Sequence, residues 1–229
     1  FFKGMNDIEF YNLYFRDQLP DNNITKKNFS ISERQLVNNL LKRTPVGKEV
    51  IESSDSSAKA EENLYSFAKR KGSMFLMWLR DVLWSIGNWK KDSLIKFVEE
   101  INPDIIFVPM FCCTYPYRVL QFIRKYTNAK LVLFHPDDNY TLKQFSLSPI
   151  YWLYRFNLRK WVRKIVKMSD INYAISNIQK EDYEKAFNIP FKILTKGIDF
   201  SGEPKKKDEY NKPLQLVFTG NIGMNRWKS

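Results

Sequence analysis

The chain has 229 residues, a net charge of +12 from 37 basic and 25 acidic residues, and 16% aromatic residues. That length supports one sizeable domain or one and a half smaller ones, and the positive excess suits anionic partners (nucleic acid, phosphorylated substrates or an acidic membrane), with a plainly solvated basic surface at least as common a reading. No apolar run approaches the roughly 18 residues of a membrane span, and one histidine beside two adjacent cysteines, Cys112 and Cys113, supplies neither a transition-metal site nor an ordinary disulfide.

Free thiols suit a reducing cytoplasm, and no signal peptide is visible. The chain opens Phe1-Phe2 without a Met and stops at Lys228-Ser229, just after an expected strand and turn, so we expect a fragment. Residues 1–29 read as irregular, with aromatic Phe10, Tyr11, Tyr14 and Phe15 and a turn at Pro20-Asp21-Asn22-Asn23. Ser30 with Glu33 three residues on has the capping-box spacing, which predicts a helix to about residue 42 with Leu36, Leu40 and Leu41 inward. One short strand is expected over 46–51, then an exposed polar loop to residue 60. Helices are expected over 61–71 and 74–86, divided at Lys71-Gly72-Ser73, and a third over 92–100 with Asp92 as its N-cap.

Residues 101–138 organise the rest. Ile105-Ile106-Phe107-Val108 follows the turn dipeptide Asn102-Pro103, and Leu131-Val132-Leu133-Phe134 ends on His135. Both runs are apolar on both faces, as parallel strands covered by helices on each side should be. Between them, 117–126 has helical spacing with Leu120 and Ile123 on one stripe, so the unit reads as a right-handed strand–helix–strand crossover. Open α/β sheets bind ligands outside the carboxyl ends of their strands. His135, Asp137 and Asp138 sit at such an end.

A polar loop leads to a long helix over 149–168, with Pro149 in its first turn. Arg155, Arg159, Lys160, Arg163, Lys164 and Lys167 fall on one half of it; Tyr154, Leu158, Trp161, Val162, Ile165 and Val166 fill most of the other. No acidic residue appears from Tyr151 to Ser169. Such a helix lies on an anionic membrane, contacts phosphates, or packs on the sheet with a solvated basic face. Next come a strand over 170–175, a helix capped by Ser176-Asn177 and running to about residue 187, and a strand over 191–194. Residues 201–213 are Pro- and Lys-rich and read as a linker. A new strand over 214–218 follows, turning sharply at Thr219-Gly220-Asn221-Ile222-Gly223.

Four stretches carry a family resemblance: NPDIIFVP at 102–109, SDINYAIS at 169–176, ILTKGIDF at 193–200 and LVFTGNIGMNRWKS at 216–229. In this order they resemble the GT-B glycosyltransferases, specifically the large retaining, family 4-like group that includes many bacterial cell-surface polysaccharide enzymes. The resemblance covers roughly residues 101–229; the glycine-rich loop usual after that family's first strand is not present. It implies two Rossmann-like domains facing a cleft, the first taking the acceptor and the second a nucleotide-sugar donor. On that reading residues 1–200 are a Rossmann-like α/β acceptor-side domain with helices on both faces of a parallel sheet, and 214–229 begin a truncated donor domain. The family's glutamate-containing donor motif would lie beyond Ser229, so this piece alone is expected to be inactive. Retention of stereochemistry is implied by the resemblance alone.

The resemblance places a histidine near the reacting centre, where His135 would hydrogen-bond a sugar, a leaving phosphate or an acceptor hydroxyl; the alternative is a structural histidine capping a loop. Asp137 or Asp138 could make that contact instead, or could solvate or cap the loop. Gly220 and Gly223 would let backbone approach a diphosphate that Arg226 and Lys228 neutralise without a metal, and no further cofactor is expected. Gly197 and Asp199 read as structural. The competing reading is a non-catalytic α/β module that binds anionic membrane or nucleic acid through 151–168, with nucleic acid the weaker branch. A cytoplasmic place, peripheral on the inner face of the plasma membrane, fits either.

Overall fold

A computed structural model describes residues 2, 5, 7–16, 24–50, 74–141, 143 and 145–195. The expected helix over 61–71, the linker and every residue from 196 onward lie outside these. The chain separates into two units, Phe1–Thr195 and Lys196–Ser229, and all of the second is outside the described residues.

The first unit is α/β with two sheets. A mixed sheet holds β1 (Phe10–Tyr14), β2 (Thr25–Ser30) and β3 (Lys48–Val50), with β2 central, parallel to β1 and antiparallel to β3. A parallel sheet holds β4 (Ile105–Pro109), β5 (Lys130–His135), β6 (Ile171–Ala174) and β7 (Lys192–Ile193) in that order. The strands β1 and β2 correct the expectation of irregular chain before residue 30. The segment TKKNFS of β2 carries no apolar alternation, so only its pairing makes it a strand.

Ser30 ends β2, and its Oγ donates to the Arg16 carbonyl at 2.7 Å. The N-cap of α1 (Glu33–Lys42) is therefore Ser32, whose Oγ accepts from the Gln35 N–H at 3.2 Å. The capping-box spacing is real but shifted by two residues, with Gln35 in the third helical position. Leu36 is buried as expected, whereas Leu40 and Leu41 are exposed. At Gly47 φ is +80° and a Cβ would lie 2.9 Å from the buried Phe29 ring, so both backbone and space require glycine there. Its N–H donates to Gln35 Oε1 at 2.8 Å.

Helix α2 (Met74–Ile86) matches its expected span, and α3 starts at Asp92 with Lys91, not Asp92, as N-cap (Asp92–Ile101). Asp92 still favours the start through the helix dipole. The crossover helices are α4 (Tyr115–Ile123), α5 (Pro149–Met168) and α6 (Asn177–Phe187). Because the strand order advances in one direction and such crossovers are right-handed, these helices share one face of the sheet. Contacts of α5 with both α4 and α6 agree. Helices on both faces were expected; the three crossover helices lie on one.

Leu131, Leu133 and His135 point to that face and are fully buried. Leu131 and Leu133 join Trp84, Phe97, Tyr117, Val162, Ile165 and Tyr183 in one core. Val132 and Phe134 are buried on the opposite face, where Phe134 stacks on Phe107 and Phe2 meets Phe107 edge-on. The centre of β5 is thus apolar on both sides, as expected. β4 is as apolar but less covered: it forms the edge of its sheet, and Ile105 is 60% exposed.

Candidate functional site

The four parallel strands end on one edge, and the loops there are tied down by buried polar side chains. After β4, three successive carbonyls each accept from a different element. Asn139 Nδ2 donates to the Met110 carbonyl at 3.1 Å, the Tyr117 hydroxyl of α4 donates to Phe111, and the Tyr154 hydroxyl of α5 donates to Cys112. Burial holds the Tyr117 and Tyr154 hydroxyls protonated by raising their pKa. Phe111 and Cys112 project outward, while burial pushes the Cys113 thiol up to about 12.

The loop after β5 is knotted around Asp138. Its Oδ1 accepts from the Tyr140 N–H at 3.0 Å, the Thr141 N–H at 2.7 Å and the Tyr183 hydroxyl at 3.0 Å; its Oδ2 accepts from the Thr141 hydroxyl at 2.6 Å. Tyr183 in turn accepts from the Asn139 N–H at 3.0 Å. Asp138 is an Asx-turn residue that fixes the loop to α6. Asp137, one position earlier, is exposed.

His135 is 0% exposed, edge-on to Tyr183 at 5.1 Å and tilted against Phe191 at 5.5 Å. Neither ring nitrogen has a hydrogen-bond partner. Burial lowers its pKa to about 4; neighbouring Asn172 and Asp138 oppose this but do not offset the lost solvation. The ring is neutral and packed in the core. In this arrangement it meets no solvent at the edge, because β5 sends residues 131, 133 and 135 to the helix-covered face. The ring does not cap the loop through a hydrogen bond; it packs as a core side chain.

On α5 the basic half divides into two groups. Arg159 Nε donates to the Tyr140 carbonyl at 2.8 Å, and Arg163 donates to the Tyr140 hydroxyl. These two arginines brace the post-β5 loop, with Arg159 also 5.4 Å from the Tyr140 ring centroid. Lys160, Lys164 and Lys167 are exposed, Lys164 lying over the Trp161 ring at 5.1 Å, and Arg155 is half-buried. The structure therefore brings Arg159 and Arg163 to the loop that holds Asp137 and Asp138, and leaves the lysines outside. Gly220, Gly223, Arg226, Lys228, Gly197 and Asp199 lie outside the described residues.

Beneath the β4 loop is a polar cluster that sequence reading missed. Asp81 of α2 is buried, and burial raises its pKa against the pull of Thr114, Arg118 and Arg80. Arg80 pairs with Glu33 at 3.1 Å and lies over the Tyr115 ring at 4.4 Å. A lone acid within the apolar run MFLMWLRDVLWSI is the signal that could have marked it. Among the described residues no group of three His, Cys, Asp or Glu is placed to hold a metal ion, and no helix is long and apolar enough to cross a membrane.

Two open depressions lie at the other end of the unit. One is lined by Pro103, Asp104, Ile105 and Lys130 at the amino ends of β4 and β5, the other by Glu184, Asn188, Ile189 and Pro190 after α6. Neither touches the carboxyl edge, which has Phe111, Cys112, Asp137, Ser176 and Asn177 on its surface. Compared with known proteins, the chain matches no family model, no curated protein and no solved structure.

Proposed function

We propose that the chain is the acceptor-side part of a glycosyltransferase that moves a sugar from a nucleotide-sugar donor to a glycan or lipid-linked acceptor. One observation supports this. The stretches NPDIIFVP, SDINYAIS and the start of ILTKGIDF lie on β4, β6 and β7, parallel strands of one sheet that end on one edge. Sheets of this kind take ligands at that edge, and the pinned carbonyls of residues 110–112 make it a preorganised floor for an acceptor. In this reading Rossmann-like organisation extends into a second, donor-binding domain that begins near residue 214. Gly220 and Gly223 with Arg226 and Lys228 bind the diphosphate there without a metal. Asp137 is the exposed acid at the edge and takes the acceptor hydroxyl's proton; Asp138 and His135 hold its loop.

The test is turnover of pooled nucleotide-sugars by the full-length protein, with a membrane extract as acceptor source. Arg226→Ala and Asp137→Asn are each expected to cost at least about a hundredfold in kcat/KM while leaving the fold intact. A full-length protein that turns over no donor sinks the proposal.

A second reading keeps the fold and drops the chemistry: a non-catalytic module held on an anionic membrane, or more weakly on nucleic acid, through residues 151–168. The exposure of Lys160, Lys164 and Lys167 favours it. Either reading suits a peripheral place on the inner face of the plasma membrane.

A further inference from the structure

The side of α5 that faces away from the core changes character along its length. Leu153 and Phe156 are 62% and 61% exposed, and one to four turns further on the same side carries Lys160, Lys164 and Lys167, all exposed. The segment entering the helix adds Phe145 at 82% and Leu147 at 90% exposure. Trp152 joins them: its ring lies 6.3 Å from that of Phe145 and 6.0 Å from that of Phe156, and its Nε1 donates to the Ser146 carbonyl at 2.7 Å. Large apolar side chains this exposed are unremarkable singly, but here they are contiguous on one helix end and its leading loop.

Along this stretch of chain the charges are all of one sign. From Asn139 to Ser169 there is no aspartate or glutamate, while Lys143 and the α5 lysines flank the apolar residues. Arg159 and Arg163 are engaged with Tyr140, so they set the loop's position and leave the lysines to face a partner. A protein partner would be expected to meet some acid in a surface patch of this length. An apolar tip beside unopposed cations instead complements a surface with an acidic layer over a hydrocarbon one.

We propose that Phe145, Leu147, Leu153 and Phe156 enter the interfacial region of an anionic lipid bilayer, with Trp152 at headgroup depth and Lys160, Lys164 and Lys167 on the acidic headgroups. The physical logic is that of monotopic helices, in which apolar burial and electrostatic attraction act together, and indole rings favour the boundary. Because α5 runs antiparallel to the strands, its apolar start lies at the carboxyl edge of the sheet. Docking in this way sets the candidate acceptor edge beside the membrane. The inference deepens the membrane-held reading of residues 151–168 and rests on it, adding the apolar contacts, and it does not depend on the transferase reading.

The test uses the full-length protein with vesicles of pure phosphatidylcholine and vesicles containing about a third phosphatidylglycerol, read by flotation and by Trp fluorescence. Wild type is expected to bind the anionic vesicles, more weakly as salt rises, with a blue-shifted emission that neutral vesicles do not produce. Phe145→Ser/Phe156→Ser is expected to weaken binding at least about tenfold, and Lys160→Gln/Lys164→Gln/Lys167→Gln likewise. These side chains are exposed, so circular dichroism spectra matching wild type accompany both results. Three results overturn the proposal. They are absent binding to anionic vesicles, unchanged binding by the serine variant, and self-association or RNA binding that the serine variant abolishes while vesicle binding stays undetectable. Loss of donor turnover with vesicle binding intact would count against the transferase reading alone.

Discussion

Acidification should unfold this protein partly through His135. The ring's pKa falls from 6.5 to about 4 in the folded chain because burial removes its solvation. The unfolded chain therefore takes up the proton first as pH falls. A depressed pKa contributes stability that is present above pH 6.5 and is lost as pH drops toward 4. At about 1.4 kcal/mol per pH unit of difference, the full span corresponds to about 3 to 4 kcal/mol, and most of it is lost by pH 4.5. His135 is 0% exposed, so screening by solvent does not reduce the figure. Urea midpoints at pH 7.5, 6.5, 5.5 and 4.5 for wild type and His135→Leu isolate this group, because every other titrating side chain is common to both. The wild type should lose about 2 to 3 kcal/mol relative to the variant between pH 7.5 and 4.5. At pH 7.5 the two should differ by less than about 1.5 kcal/mol, since one neutral side chain of similar bulk replaces another. Parallel pH profiles, or an imidazole proton signal that titrates near 6.5, would show the ring open to solvent and would refute the burial argument.

Two further predictions follow from the same edge. Asp138→Ala removes the acceptor for two backbone N–H groups, one threonine hydroxyl and one tyrosine hydroxyl; a loss of about 2 to 3 kcal/mol is expected in chemical denaturation, with faster amide exchange at residues 139–141, and an unchanged exchange pattern would rule out the loop-fixing role. Asp81 has the opposite sign to His135: its pKa is raised, by burial first, so the folded chain keeps the proton to higher pH. Wild type should gain stability relative to Asp81→Asn as pH falls from neutral toward the carboxylate range, and a relative loss over that interval would show the group to be better solvated or paired than its burial implies.

The placement of His135 changes what the edge can do. A strand's carboxyl end is a good place to look for chemistry, but side chains alternate between faces, so adjacent positions meet different environments. His135 faces Tyr183 and Phe191, while Asp137 reaches the surface. Asp138, the other acid, is consumed by four hydrogen bonds. The motif-level expectation of a histidine and two acids at one end therefore resolves into one exposed acid with a buried support beneath it. The basic helix resolves similarly, with two arginines turned to Tyr140 and three lysines turned outward.

The long helix α5 was legible to its ends, because Pro149 fits a first helical turn and its apolar stripe has an unbroken 3.6-residue period. β5 was equally plain, since a run buried on both faces needs no partner to be seen. Helix α1 was read with its cap two residues early, because Ser30 and Ser32 both precede acceptable third residues and local sequence does not say where β2 stops. The strand β2 was missed for the same reason: the segment TKKNFS becomes a strand through neighbours' hydrogen bonds, which are non-local, and the short aromatic β1 is a strand only through its pairing with β2. The sequence alone determined which segments are apolar enough to form the core and that a long helix carries six cations with no acid of its own. The tertiary structure decided which of those cations remain outside, and that the protein's one histidine lies in the core. The physical reason is that burial of a polar side chain depends on what packs over it from elsewhere in the chain; for His135 that cover comes from Tyr183 and Phe191, about fifty residues away.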